Sequence, residues 1–102
     1  MGRQSRDKGA RTERAIVHLL QSHGFAAEKV SRMYKPGEDI SFPLLGIDRS
    51  VEVKCRGDGF KQLYEWLQGR NVLIVKADRR EPLVIVPLSL AIEVALAAER
   101  KK

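Results

Sequence analysis

Asp39-Ile40-Ser41-Phe42-Pro43-Leu44-Leu45-Gly46-Ile47-Asp48-Arg49-Ser50-Val51-Glu52-Val53-Lys54-Cys55 reads as two strands folded back about a single glycine. The pattern predicts one strand from Glu38 to Leu45 and the next from Arg49 to Cys55. Successive side chains on a strand point to opposite faces. Glu52 and Lys54 therefore share one face, and Val51, Val53 and Cys55 the other. A glutamate and a lysine side by side in an apolar strand are costly unless they are paired or solvated. Gly46-Ile47 can form a two-residue turn, with Gly at the first central position as a type II′ turn requires. That turn pairs Leu45 with Asp48, sets Asp39 opposite Lys54, and leaves Glu52 diagonal to Asp39. Directly opposed residues share a face, so Asp39, Glu52 and Lys54 project together, with diagonal neighbours about 7–8 Å apart. A three-residue turn would slip the register by one and send Asp39 to the other face. Pro43 is a tension in this scheme, because proline in an inner strand removes a ladder donor or marks a bulge.

Working outward, Lys8 to His23 has the helical period: Ala10, Glu13, Ile16, Val17 and Leu20 fall on one face, and Gly24 is the stop. Glu13 lies inside that apolar stripe. Residues 25–32 predict a first strand, and 34–37 a turn. Phe60 to Gln68 predicts a short helix ended by Gly69. Asn71 to Lys76 is a near-continuous apolar run, expected for a strand buried on both faces. Asp78 to Glu81 is a charged turn, Leu83 to Val86 a further strand, and Pro87-Leu88 opens a last helix through Ala98. The order is α-β-β-β-α-β-β-α. The fold class is α/β, with a mixed sheet flanked by helices. The third strand, second helix and fourth strand predict a right-handed parallel crossover. A basic arm over 1–7, one domain over 8–99 and a basic tail over 100–102 complete the organisation.

Composition narrows the function classes. A chain of 102 residues supports one domain, and 43% apolar residues suit a globular one. Nineteen Lys+Arg against 13 Asp+Glu give a net charge of +6 and a pI near 9.8. That balance favours a polyanionic partner. No apolar run approaches the ~18 residues of a membrane span, so no membrane partner is expected. No apolar stretch follows the charged start, so no signal peptide is expected. One cysteine cannot form an internal disulfide, and no Cys/His cluster has zinc spacing. The expected setting is a reducing cytoplasm.

Asp39 and Glu52 can reach toward one hard cation, which takes oxygen ligands at about 2.1 Å when it is Mg²⁺. Such a pair would polarise a phosphodiester oxygen and lower the pKa of bound water. Lys54 beside them could orient or deprotonate that water and offset phosphate charge. Glu13, facing inward, could supply a third carboxylate. The plainer alternative is that Glu52 and Lys54 form a surface ion pair on a half-exposed strand. Glu38 could replace Asp39, but its strand parity puts it on the opposite face. Arg6, Lys8, Arg11, Arg32, Lys35, Arg56 and Lys61 are the candidates for DNA phosphate contacts. Lys76 ends the apolar run, where it either approaches the site or snorkels. Tyr64 and Trp66 are expected to pack in the core or an interface rather than stack on bases. His18 and His23 read as surface residues, and Cys55 as a core thiol. Residues 88–98 are apolar nearly all round, which predicts burial on more than one side and points to a homodimer.

Asp39 followed by Glu52-Val53-Lys54 resembles the signature of the PD-(D/E)XK nuclease superfamily. The element order is similar to its restriction-endonuclease-like core. Within that superfamily the chain looks most like archaeal-type Holliday-junction resolvases, through Lys8-Gly9, Glu13-Arg14 and His23-Gly24-Phe25, and more loosely from Trp66 to Lys76. The likeness covers residues 6–77. It departs from the family's pattern at Gly37-Glu38, where a proline usually precedes the aspartate. The resemblance implies that Glu13, Asp39 and Glu52 bind Mg²⁺, with Mn²⁺ as a substitute, and that Lys54 assists the attacking water. It also implies a homodimer acting on branched or duplex DNA in recombination and repair. The expected function is thus a Mg²⁺-dependent DNA endonuclease. The alternatives are a non-catalytic nucleic-acid-binding module that keeps the fold, and a protein-interaction module with solubilising basic ends.

Overall fold

A computed structural model describes residues 2–30 and 40–101, with the side chains of the first helix described from Gly9 onward. The elements run α1 (Gly2–Ser22), β1 (Glu28–Lys29), β2 (Ile40–Leu44), β3 (Ile47–Val51), α2 (Lys61–Leu67), β4 (Leu73–Val75), β5 (Leu83–Ile85) and α3 (Leu88–Arg100). The protein is of mixed α/β class. It comprises two compact units. One runs through Cys55 and takes in the chain end from Ala98; the other is Arg56–Ala97.

Helix α1 begins at Gly2 rather than near Lys8. Nothing at Lys8 stops a helix from extending backward. Arg and Gln are good helix formers, and Gly9 costs only about 1 kcal/mol. The expected apolar stripe is the packed one: Val17 and Leu20 are buried, while Ala10, Glu13 and Ile16 are half-buried. The helix ends in a Schellman motif. Phe25 N–H donates to Leu20 O at 3.1 Å and Gly24 N–H to Gln21 O at 2.9 Å, with Gly24 at φ +94°. A residue in the left-handed region is needed there, which glycine supplies without steric cost. The motif brings Phe25 back toward Leu20, and both are buried.

In this first unit, β2 is the central strand of an antiparallel sheet ordered β1-β2-β3. Lys29 faces Ile40, and Ile40 faces Val51. Ile40 is fully buried among a core that includes Val17, Leu20, Phe25 and Ala27. Phe25 meets Phe42 edge to face, with centroids 5.7 Å apart and planes at 87°. Such pairs add about 0.5–1.5 kcal/mol beyond their area.

The hairpin corrects the expected register. The turn is Leu45-Gly46, with φ +56° and +79°, so Asp48 faces Pro43 rather than Leu45, a shift of two positions. Two positive φ values make it a type I′ turn, whose twist matches the flanking strands. The expectation failed because a leucine rarely takes positive φ, so Gly46 looked like the first central residue. A shift of two leaves every face unchanged. The tension at Pro43 also dissolves. In an antiparallel ladder the pair beside the turn-flanking Leu44–Ile47 pair is a non-hydrogen-bonded one. The Pro43 nitrogen thus points away from β3, toward the side where β1 has ended at its Glu28–Ser41 pair.

In the second unit, β4 and β5 form a two-stranded antiparallel sheet, Ile74 facing Val84. This departs from the mixed sheet and parallel crossover expected from β3 through α2 to β4: among the described residues both sheets are antiparallel, and β4 pairs with β5. Nor is β4 buried on both faces, since Ile74 and Val84 are both 63% exposed. An apolar run of this length has no periodicity to separate one buried face from two. Helix α3, whose residues from Ala98 onward belong to the first unit, buries Ile92 and half-buries Leu90, Ala91 and Ala95 through Glu99, while Val94 lies open.

Candidate active site

Glu52 follows directly after Val51, the last residue of β3, and Lys54 lies two residues further on. The strand ends sooner than expected, yet burial keeps alternating with a period of two: Val51, Val53 and Cys55 are half-buried, while Glu52, Lys54 and Arg56 are exposed. The two-faced arrangement expected of this segment is therefore present, with the charged residues on the open side. Lys54 Nζ lies 3.7 Å from Glu52 Oε1, and both side chains are about half exposed. In that setting the carboxylate and the ammonium are solvated and reachable by a ligand.

Glu13 sits on the packed side of α1 with its side chain 18% exposed. Its Oε1 lies 3.4 Å from Lys29 Nζ on β1. Lys29 is a residue that sequence reasoning passed over. The only available signal was that an acid in an apolar stripe requires a cation nearby. Glu13, Glu52 and Lys54 belong to the same compact unit. Asp39, expected between them, lies outside the described residues, as do Glu38, Arg32 and Lys35. Among the described residues no three His, Cys, Asp or Glu side chains gather to hold a metal ion. The donor chemistry of Glu13 and Glu52 suits a hard divalent cation, which takes carboxylate oxygens.

The remaining candidates are dispersed. Arg6 and Lys8 lie on α1, but their side chains are outside the described set. Arg11 is exposed on α1, and so are Arg14 and His18 at helical spacings that place them on the same face. Arg14 joins the cationic candidates on that ground. Arg11 and Arg14 have no ion pair among the described residues. Arg56 is exposed, and its stem lies close over Gly59, where a methyl group would come within 3.2 Å of Arg56 Cβ. Lys61 is exposed at the start of α2. Lys76 Nζ donates to the adjacent Ala77 O at 3.2 Å. His18 and His23 are exposed and Cys55 is half-buried. Tyr64 and Trp66 are exposed rather than packed into a core. No described helix is long and apolar enough to cross a membrane. No family model, no curated protein and no solved structure matches this chain.

Proposed function

We propose that the protein is a divalent-metal-dependent DNA endonuclease of the PD-(D/E)XK kind, built on a restriction-endonuclease-like core. In this reading Glu13, Asp39 and Glu52 hold Mg²⁺ or Mn²⁺, and Lys54 supports the attacking water. The observation that carries it is the Glu52–Lys54 pair, 3.7 Å apart and open to solvent, in the same unit as the half-buried Glu13. A bound cation supplies charge neutralisation at the scissile phosphate and activation of water. Glu52 and Glu13 provide the oxygen donors. The Lys54 ammonium lies close enough to Glu52 to be oriented by it, and it adds positive charge where a phosphate would approach. Exposed Arg11 and Arg14 on α1, together with the net charge of +6, supply attraction to the DNA backbone. The proposed substrate is branched or duplex DNA, as in Holliday-junction resolution during recombination and repair, cut by a homodimer in the cytoplasm.

A second reading, a nucleic-acid-binding module without catalysis, is favoured by one fact: both described carboxylates already have a lysine partner. One experiment separates the two. The protein is incubated with four-way junction, flap, linear duplex and single-stranded DNA, with and without Mg²⁺ or Mn²⁺, alongside Glu52→Ala. Metal-dependent cleavage by the wild type alone supports the nuclease. Binding without cleavage supports the module. Equal cleavage by both proteins overturns the assigned site.

A further inference from the structure

Tyr64 on α2 is 75% exposed, the most open large apolar residue of the described chain. Its hydroxyl and ring have no partner among the described residues. It borders a shallow concave surface of about 510 Å³, lined by Lys61, Glu65, Leu67, Gln68, Arg70 and Pro87 beside the tyrosine itself. All of these residues belong to the second unit. Local backbone chemistry places the cations. Lys61 and Tyr64 are three apart on one helix and so are neighbours on its surface. Beyond the helix, Leu67–Arg70 forms a type II turn. Gln68 has φ −55° and ψ 127°, Gly69 has φ +74°, and Arg70 N–H donates to Leu67 O at 2.8 Å. Only a residue tolerant of positive φ completes that turn, and it folds Arg70 back beside the helix end. Neither Lys61 nor Arg70 is ion-paired among the described residues; the Arg70 side chain makes only a local bond to Gly69 O at 3.4 Å.

We propose that Tyr64 is a stacking platform for an unpaired nucleotide, with the flanking phosphates on Lys61 and Arg70. This inference rests on nucleic acid being the partner, as in the proposed function, and names a substrate feature: single-stranded character. An aromatic ring on an open helix reaches a base only by its π-face. In a duplex those faces are already stacked on neighbouring pairs, whereas in a single strand, flap or open junction they are free. Glu65 opposes a phosphate at its own position, which leaves the phosphates to the two cations. A carboxylate there can accept from an exocyclic base amine, and Gln68 can both donate and accept. A second copy of the chain is the poorer occupant of this face, because lysine is depleted at the centre of protein interfaces and a two-fold pairing of the face would set Lys61 and Arg70 against their own copies.

Fluorescence anisotropy with a labelled single-stranded oligodeoxycytidylate and a labelled blunt duplex, both in EDTA, tests this on the full chain. The proteins compared are wild type, Tyr64→Ala, Tyr64→Phe and the double variant Lys61→Ala/Arg70→Ala. Circular dichroism and sedimentation of each variant accompany the titrations. Tyr64→Ala is expected to weaken single-strand binding about tenfold or more and to leave duplex binding within about twofold. Tyr64→Phe should bind like the wild type, and the double variant should show a shallower salt dependence. Unchanged single-strand affinity in folded Tyr64→Ala overturns the inference, as does an equal loss on both DNAs or no binding to either. Dissociation of a dimer by Tyr64→Ala, with single-strand binding intact, reassigns the face to a second copy. The nuclease reading fails separately, when Tyr64-dependent binding persists but no metal supports cleavage.

Discussion

Lys29 on β1 lies 3.4 Å from Glu13 on α1, so the half-buried carboxylate of the first helix is held by the first strand. A carboxylate so engaged can still serve a metal, but the lysine competes for it. Lys29→Met is therefore expected to lower the Mg²⁺ concentration needed for half-maximal cleavage, and Glu13→Gln to raise it. With the lysine side chain 43% exposed, loss of the pair itself costs less than about 1 kcal/mol. Metal titrations of cleavage, paired with thermal unfolding, check both effects.

On the proposed function, Lys54 is expected to separate chemistry from stability in the same way. Its pair with Glu52 is open to water, so Lys54→Ala should shift the melting temperature by no more than about 4–8 °C. Cleavage should fall about a hundredfold or more, the usual scale for losing a positioned proton-transfer group. A variant that melts normally and cuts normally would remove Lys54 from the site.

The hairpin turn holds a leucine in the left-handed region, at Leu45 φ +56°. Asparagine tolerates that conformation and leucine resists it. Leu45→Asn is expected to stabilise the protein by about 0.5–1 kcal/mol, a part of the roughly 1–2 kcal/mol that the left-handed conformation costs an ordinary residue. Gly46→Ala, at φ +79°, should destabilise it by about 1 kcal/mol or more. Urea denaturation of the two variants gives opposite signs if the turn is type I′, whereas a Gly46-Ile47 turn would spare Leu45 altogether.

Ile40 is the most deeply buried side chain described, at 0% exposure, and it faces both Lys29 and Val51 across the sheet. Ile40→Ala should cost about 2–5 kcal/mol and Ile40→Val about 0.5–1.5. Set against a typical total of about 5–15 kcal/mol, the alanine variant is expected to be partly unfolded at 37 °C and the valine variant folded. Denaturation midpoints followed by circular dichroism decide this.

Much of the arrangement was legible from local chemistry. Periodicity marked the packed stripe of α1 through Val17 and Leu20, Gly24 marked its end, and the alternation from Val51 to Arg56 put Glu52 and Lys54 on one open side. These patterns depend on neighbours within a few residues, where backbone geometry alone sets which side chains share a face. The element order from α1 to α3 also followed from such signals.

Pairing was not local. The Leu45-Gly46 turn runs against leucine's own preference, and it is met by a residue far along the chain: Leu45 N–H donates to the Glu99 carboxylate on α3. The partner of β4 was likewise misassigned, because an apolar run marks a strand without naming the strand that pairs with it. Tyr64 is the inverse case, a helical aromatic expected to pack in a core or an interface, which folding leaves exposed on the chain. Residue type and spacing thus decided where helices and strands form and which side chains they carry together. Turn register, strand partners, the lysine on Glu13 and the exposure of Tyr64 were decided by contacts between distant segments, whose energies no local window contains.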